Sequence, residues 1–150
     1  MNPKTPQEIA IMAEGGRRLA RILAKLREAA KPGVRTIELD HLAYDLITSG
    51  GDKPAFLGYR PGSAGKAYPA TLCASVGSGI VHGLPSNEIL KDGDLLKLDL
   101  GLIHEKFYLD SAISIGIGKL TDEARKLISV TEKALALGIA AAKAGNTLGD

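Results

Sequence analysis

The stretch Lys97-Leu98-Asp99-Leu100-Gly101-Leu102-Ile103-His104-Glu105-Lys106-Phe107-Tyr108-Leu109-Asp110-Ser111-Ala112 decides how this chain is read. Two apolar arms flank a short polar centre, the pattern of a β-hairpin, and each arm carries one carboxylate. Acids inside so apolar a run need a partner, a proton or a metal ion. A two-residue loop at His104-Glu105 sets Asp99 directly opposite Asp110 on one face of the hairpin, with Cβ atoms roughly 4.5–5.5 Å apart. Like charges so placed repel, and a divalent cation relieves the repulsion most simply. A structural acid pair, with one partner protonated, is the plain alternative.

Working outward, Thr5-Pro6-Gln7-Glu8 starts a helix, with threonine at the N-cap, proline at the first turn and glutamate three residues on. Ile9, Met12, Leu19, Ile22, Leu23 and Leu26 recur at helical spacing until Pro32-Gly33 stops the helix. A second helix runs from Thr36, read as its cap, to Ser49. Residues 52–69 hold enough proline and glycine to be mostly loop, and Thr71 to Val76 reads as a strand. A turn-rich segment, Gly77-Ser78-Gly79-Ile80-Val81-His82-Gly83-Leu84-Pro85, precedes the Asp92-Gly93 turn and the hairpin. Thr121 caps a third helix, residues 122–143.

Lys31-Pro32-Gly33-Val34-Arg35-Thr36 and Lys143-Ala144-Gly145-Asn146-Thr147 follow the first and third helices in the same way. The parallel predicts a fourth helix near Leu148 and hence a truncated chain, with a frayed C-terminal tail as the plain alternative.

The composition, 45% hydrophobic and 24% charged over 150 residues, is that of a globular domain. A net charge of +2 with scattered basic residues gives no case for DNA binding. Arg17, Arg18, Arg21, Lys25 and Arg27 read as a solvated helix face, with transient ribosome contact as the alternative. The lone Cys73 excludes an internal disulfide and fits a reducing compartment. No run has transmembrane length and the N-terminus lacks a signal-peptide pattern, so the expected location is the cytoplasm. Gly77-Ser78-Gly79 lacks the Gly-Lys-Ser/Thr of a phosphate loop. His41 and His104 read as surface residues. Cys73 lacks a placed basic partner and is not read as a nucleophile.

Taken in order, several segments resemble one family. They are Pro32-Gly33-Val34 with Thr36 and Glu38-Leu39-Asp40, Phe56-Leu57-Gly58-Tyr59, and Tyr68-Pro69-Ala70-Thr71-Leu72-Cys73-Ala74-Ser75-Val76. They continue with Val81-His82-Gly83-Leu84-Pro85, Gly93-Asp94, Asp99-Leu100-Gly101 and Asp110-Ser111-Ala112. The family is the type I methionine aminopeptidases of the pita-bread fold. The resemblance implies an α+β chain, an antiparallel sheet with helices packed on one face. It makes residues 1–150 the N-terminal part of a single pita-bread catalytic domain. It implies that Asp99 chelates one metal, that Asp110 bridges two, and that His82 contacts the substrate peptide group and stabilises the transition state. Phe56, Tyr59, Tyr68 and Cys73 match positions lining the methionine pocket.

The implied cofactor is two divalent ions (Co, Mn, Fe, Zn or Ni). The implied substrate is the N-terminal methionine of nascent polypeptides, removed by metal-activated water, and the implied state is a monomer when full length. The family's other ligands, a histidine and two glutamates, belong to the second half of its fold. Two alternatives stand beside this reading: a non-catalytic pita-bread module that binds peptides or proteins, and an Xaa-Pro aminopeptidase-like hydrolase. The hairpin tip departs from the family's usual Asn-Gly or Asp-Gly, since Glu105-Lys106 tolerates positive φ poorly.

Overall fold

The structure is a computed structural model and describes residues 3–62 and 65–150. Helix α1 (Pro6–Ala29) opens with the expected capping box: Glu8 N–H donates to the Thr5 hydroxyl and Thr5 N–H to the Glu8 carboxylate. Its buried stripe is Gly15, Leu19, Ile22, Leu23 and Leu26, while Ile9 is exposed. Helix α2 (Thr36–Ser49) buries Leu39, Asp40, Ala43 and Ile47. Thr36 is not its cap. Arg35 takes that place, and the buried Thr36 hydroxyl donates to the Ser86 carbonyl and accepts the Ser86 N–H. A threonine at a helix start has two uses for its hydroxyl, and here the tertiary one wins.

Four strands follow: β1 (Lys53–Pro54), β2 (Leu72–Val76), β3 (Leu95–His104) and β4 (Phe107–Gly116). All pairings are antiparallel and all involve β3. Strand β4 runs along one whole edge of β3, so β1 and β2 share the other edge end to end. The alternation along β3 sorts the sheet into two faces. Leu96, Leu98, Leu100 and Leu102 are fully buried on one face, with Leu72 and Ala74 of β2 and Ile115 of β4. Helices α1 and α2 pack there, closing a single core. The opposite face carries Cys73, Ser75, Lys97, Asp99, Gly101, Asp110, Ala112 and Ser114, with the Phe56 ring against Gly101.

Helix α3 (Asp122–Ala141) is capped by Thr121 as read from the sequence, but ends two residues short of Lys143. It buries no residue, and Leu127, Val130, Leu135, Leu137 and Ile139 stand exposed along it. The turns after α1 and α3 do match: Gly33 and Gly145 have φ of 94° and 96°. None of the described helices is long and apolar enough to cross a membrane.

The hairpin register differs from expectation. Its loop is Glu105-Lys106, His104 pairs with Phe107, Asp99 faces Ala112, and Asp110 faces Gly101. The reason lies at the tip. His104 is no surface residue: its side chain is 13% exposed and Nδ1 lies 2.8 Å from Oδ1 of Asp52, which Arg18 also approaches. The His104 Cβ also packs against Gly15 of α1, where an added methyl would come within 2.9 Å. Held this way, His104 ends the strand and the turn falls one residue later. Glu105 then takes φ of 56°, the left-handed conformation a two-residue hairpin demands at its first loop position. His41 is exposed, as read.

Candidate active site

Asp99 and Asp110 remain on the same face of the sheet, because the shift moves the pairing by two residues and preserves side-chain parity. They are diagonal neighbours rather than direct opposites, and they lie on the face opposite the core. Asp99 is half-buried, and Asp110 is exposed. The acid-bearing strands are amphipathic, so their apolar half satisfies the core while the acids face outward.

Asp99 feels the crowding. Burial first, then the charge of Asp110 and a hydrogen bond shared with it, push its pKa up to about 6, while the field of His82 acts the other way. A carboxylate held this far up by burial and by a like-charged neighbour favours whatever neutralises the pair. Two hard anionic oxygen donors on one face suit a divalent cation of the Mg-to-Zn range. They make part of a site: among the described residues no cluster of three or more His, Cys, Asp or Glu side chains is placed to hold a metal.

The neighbouring positions wall the acids on one side. Cys73 pairs directly with Asp99 across β2–β3. Its buried thiol accepts a hydrogen bond from the Tyr68 hydroxyl at 3.1 Å, and burial pushes its pKa up, so it is a neutral wall rather than a thiolate. The same single Tyr68 O–H is shared with the Leu72 carbonyl at 3.1 Å, and burial raises its pKa as well. Phe56 meets Tyr68 edge-on with ring centroids 6.5 Å apart. It also lies against Gly101, where any β-carbon would come within 2.6 Å of its ring. Glycine at 101 therefore lets an aromatic ring lie beside the strand position that faces Asp110.

Tyr59 is joined to this group through the backbone only. Its carbonyl accepts the Tyr68 N–H and the Tyr68 carbonyl accepts the Gly58 N–H. Its ring is 62% exposed. Phe56, Tyr68 and Cys73 are thus brought together, and Tyr59 stands at their rim.

His82 sits in the exposed 77–85 segment with φ of 58°, a conformation uncommon outside glycine. The residue after it is tied to β2: Gly83 N–H donates to Ser75 Oγ at 3.0 Å, and Gly83 C=O accepts the Ala74 N–H at 2.8 Å.

Three contributors escaped the reading of the sequence. Ser75 and Lys97 flank Cys73 and Asp99 at period two, a signal that was present once the strands were placed. Lys97 donates from Nζ to the Gly77 carbonyl at 2.7 Å, and burial lowers its pKa. Asp40 of α2 is buried, and its Oδ1 accepts the N–H groups of Thr71 and Leu72, which fixes the start of β2 just ahead of Cys73.

Comparison with known proteins supplies the family. Residues 10–150 match the model of metallopeptidase family M24. The chain belongs to metallopeptidase family M24. It is 38% identical over 147 residues to a methionine aminopeptidase of Clostridium perfringens, covering 98% of this chain and 57% of that protein. It is 40% identical over 144 residues to methionine aminopeptidase 1 of Mycobacterium tuberculosis, covering 95% and 52%. A solved methionine aminopeptidase from Rickettsia prowazekii superposes with a TM-score of 0.86 at 29% identity, over 93% of this chain and 54% of that one. The α+β arrangement is that of the pita-bread fold. The chain spans about half the length of the curated relatives it matches. Membership of this M24 family implies a divalent metal cofactor, and the Asp99–Asp110 pair is where this chain offers donors for one.

Proposed function

We propose that residues 1–150 are the N-terminal part of a single catalytic domain of a metal-dependent aminopeptidase that removes the initiator methionine from nascent proteins. The observation that carries this reading is the pair Asp99 and Asp110 on the same sheet face, with Cys73, Tyr68 and Phe56 beside them. In this reading Asp99 is the chelating and Asp110 the bridging carboxylate for two divalent ions, drawn from Co, Mn, Fe, Zn and Ni. Such ions supply an activated water and a polarised scissile carbonyl when bound.

The chain's own residues do the rest. Phe56, Tyr68 and Cys73 hold the methionine side chain, a soft thioether against an apolar, neutral wall, with Tyr59 closing the rim. His82 contacts the peptide group and stabilises charge on it in the transition state. The raised pKa of Cys73 supports a pocket role over a nucleophilic one. The full-length protein acts as a monomer in the cytoplasm on N-terminal methionine, with no DNA or membrane partner. The single cysteine and the small net charge support that setting.

The test is substrate competition. Given Mn(II), the full-length protein is expected to release methionine from Met-Ala-Ser and to leave Xaa-Pro peptides whole. Cleavage of the Xaa-Pro peptides alone moves the reading to a proline-specific hydrolase, and cleavage of neither rejects it.

A further inference from the structure

His82 holds a left-handed backbone that a non-glycine residue adopts only at a cost, so its surroundings must impose it. Few contacts are available to do so, because the middle of the segment is free: Ile80 is 80% and Val81 60% exposed. The constraint is applied at the two ends. At the near end, Gly77 donates its N–H to the Leu95 carbonyl, and its own carbonyl accepts Lys97 Nζ at 2.7 Å. At the far end, Gly83 N–H is taken by Ser75 Oγ and Gly83 C=O by the Ala74 N–H. Gly83 is drawn in so closely that a β-carbon there would come within 2.4 Å of the Ala74 carbonyl. The two side chains in this arrangement, Ser75 and Lys97, are paired directly across β2 and β3 on the acid-bearing face.

We propose that Ser75 and Lys97 are positioning residues, a two-point clamp on the 77–83 segment that holds His82 in its left-handed conformation at the edge of the acid-bearing face. The clamp's catalytic consequence rests on the reading of His82 as the substrate-contacting histidine; the clamp itself rests on the four hydrogen bonds. Ser75 acts as an acceptor only the strand can place, and Lys97 reaches over the start of the segment with a side chain long enough to leave the sheet.

Two readouts test it. The first is amide hydrogen exchange in the protein as it stands. In Ser75→Ala the Gly83 amide is expected to exchange about tenfold faster than in the parent, since its acceptor is gone. Lys97→Met is expected to speed exchange at residues 78–82, and Lys97→Arg to restore part of the protection. Unchanged exchange in both variants overturns the clamp, whether or not the protein has activity. Should Ser75→Ala lose its far-UV dichroism, Lys97→Met carries the comparison.

The second readout is a double-mutant cycle in the full-length protein on Met-Ala-Ser. Ser75→Ala is expected to lower kcat by roughly tenfold with KM nearly unchanged, and to add less than about twofold in a His82→Ala background. An equal loss in both backgrounds means that Ser75 does not act through His82 and overturns the positioning role. A parent protein that cleaves no methionine peptide contradicts the proposed function instead, and the exchange data then decide the clamp alone.

Discussion

Asp99 takes up a proton near pH 6 because it is partly buried and shares a face with Asp110. The sign of the consequence follows. An unfolded aspartate releases its proton near pH 4, so between about 4 and about 6 the folded chain holds a proton that the unfolded one has lost. The stability linked to this group is complete below that window and disappears as pH rises through it. Urea melts in chelator at stepped pH should show this loss, and Asp110→Asn, which removes the neighbouring charge, should shrink it. Carbon NMR of Asp99 in Asp110→Asn should place its titration below that of the parent. A divalent ion competes with this same proton, so metal affinity should weaken as pH falls below about 6. His82→Ala should lower kcat on Met-Ala-Ser by about 10²-fold, in line with removing one transition-state donor. The acids were legible in the sequence because carboxylates in an apolar run are unusual. Their degree of burial was not, since the apolar residues around them belong to the opposite face of the same strands.

The hairpin shows what a pattern of residues leaves open. Alternation along β3 and β4 fixes which side chains share a face, and that much held. The position of the turn depends on contacts distant in sequence: Asp52 to His104, and Gly15 of α1 against the His104 Cβ. Those contacts outweigh the poor fit of Glu105 to a positive φ. Glu105→Gly should therefore stabilise the protein by about 0.5–1 kcal/mol, seen as a higher urea midpoint at constant slope. The reverse holds at Gly101. An alanine there must displace the Phe56 ring, so Gly101→Ala should raise KM for Met-Ala-Ser more than it lowers kcat. Thr36 teaches the same lesson as His104. Its residue type fits a cap, but its hydroxyl is claimed by Ser86, fifty residues away. The Thr5 cap, whose partners lie within one turn, was fully legible.

Across the molecule the two sheet faces differ in kind. One is closed by α1 and α2 over an aliphatic core, and the other carries the acids, with Asp99 half-buried and Asp110 exposed. Helix α3 has an apolar stripe and no buried residue. Truncation should reveal the contrast: Leu98→Ala should cost about 2–5 kcal/mol, and Leu135→Ala less than about 0.5, as measured by urea unfolding. The fold class was legible because helix caps, strand alternation and turn residues agree along the chain. The exposure of Asp110 and α3 was not, because burial depends on what packs against a face as well as on its pattern. The account as a whole turns on the acid pair. The most direct measurement is the rate of methionine release from Met-Ala-Ser, with saturating Mn(II), by the full-length parent and its Asp99→Asn and Asp110→Asn variants. The account predicts a loss of at least about 10²-fold in each variant. Rates that match the parent's would contradict it.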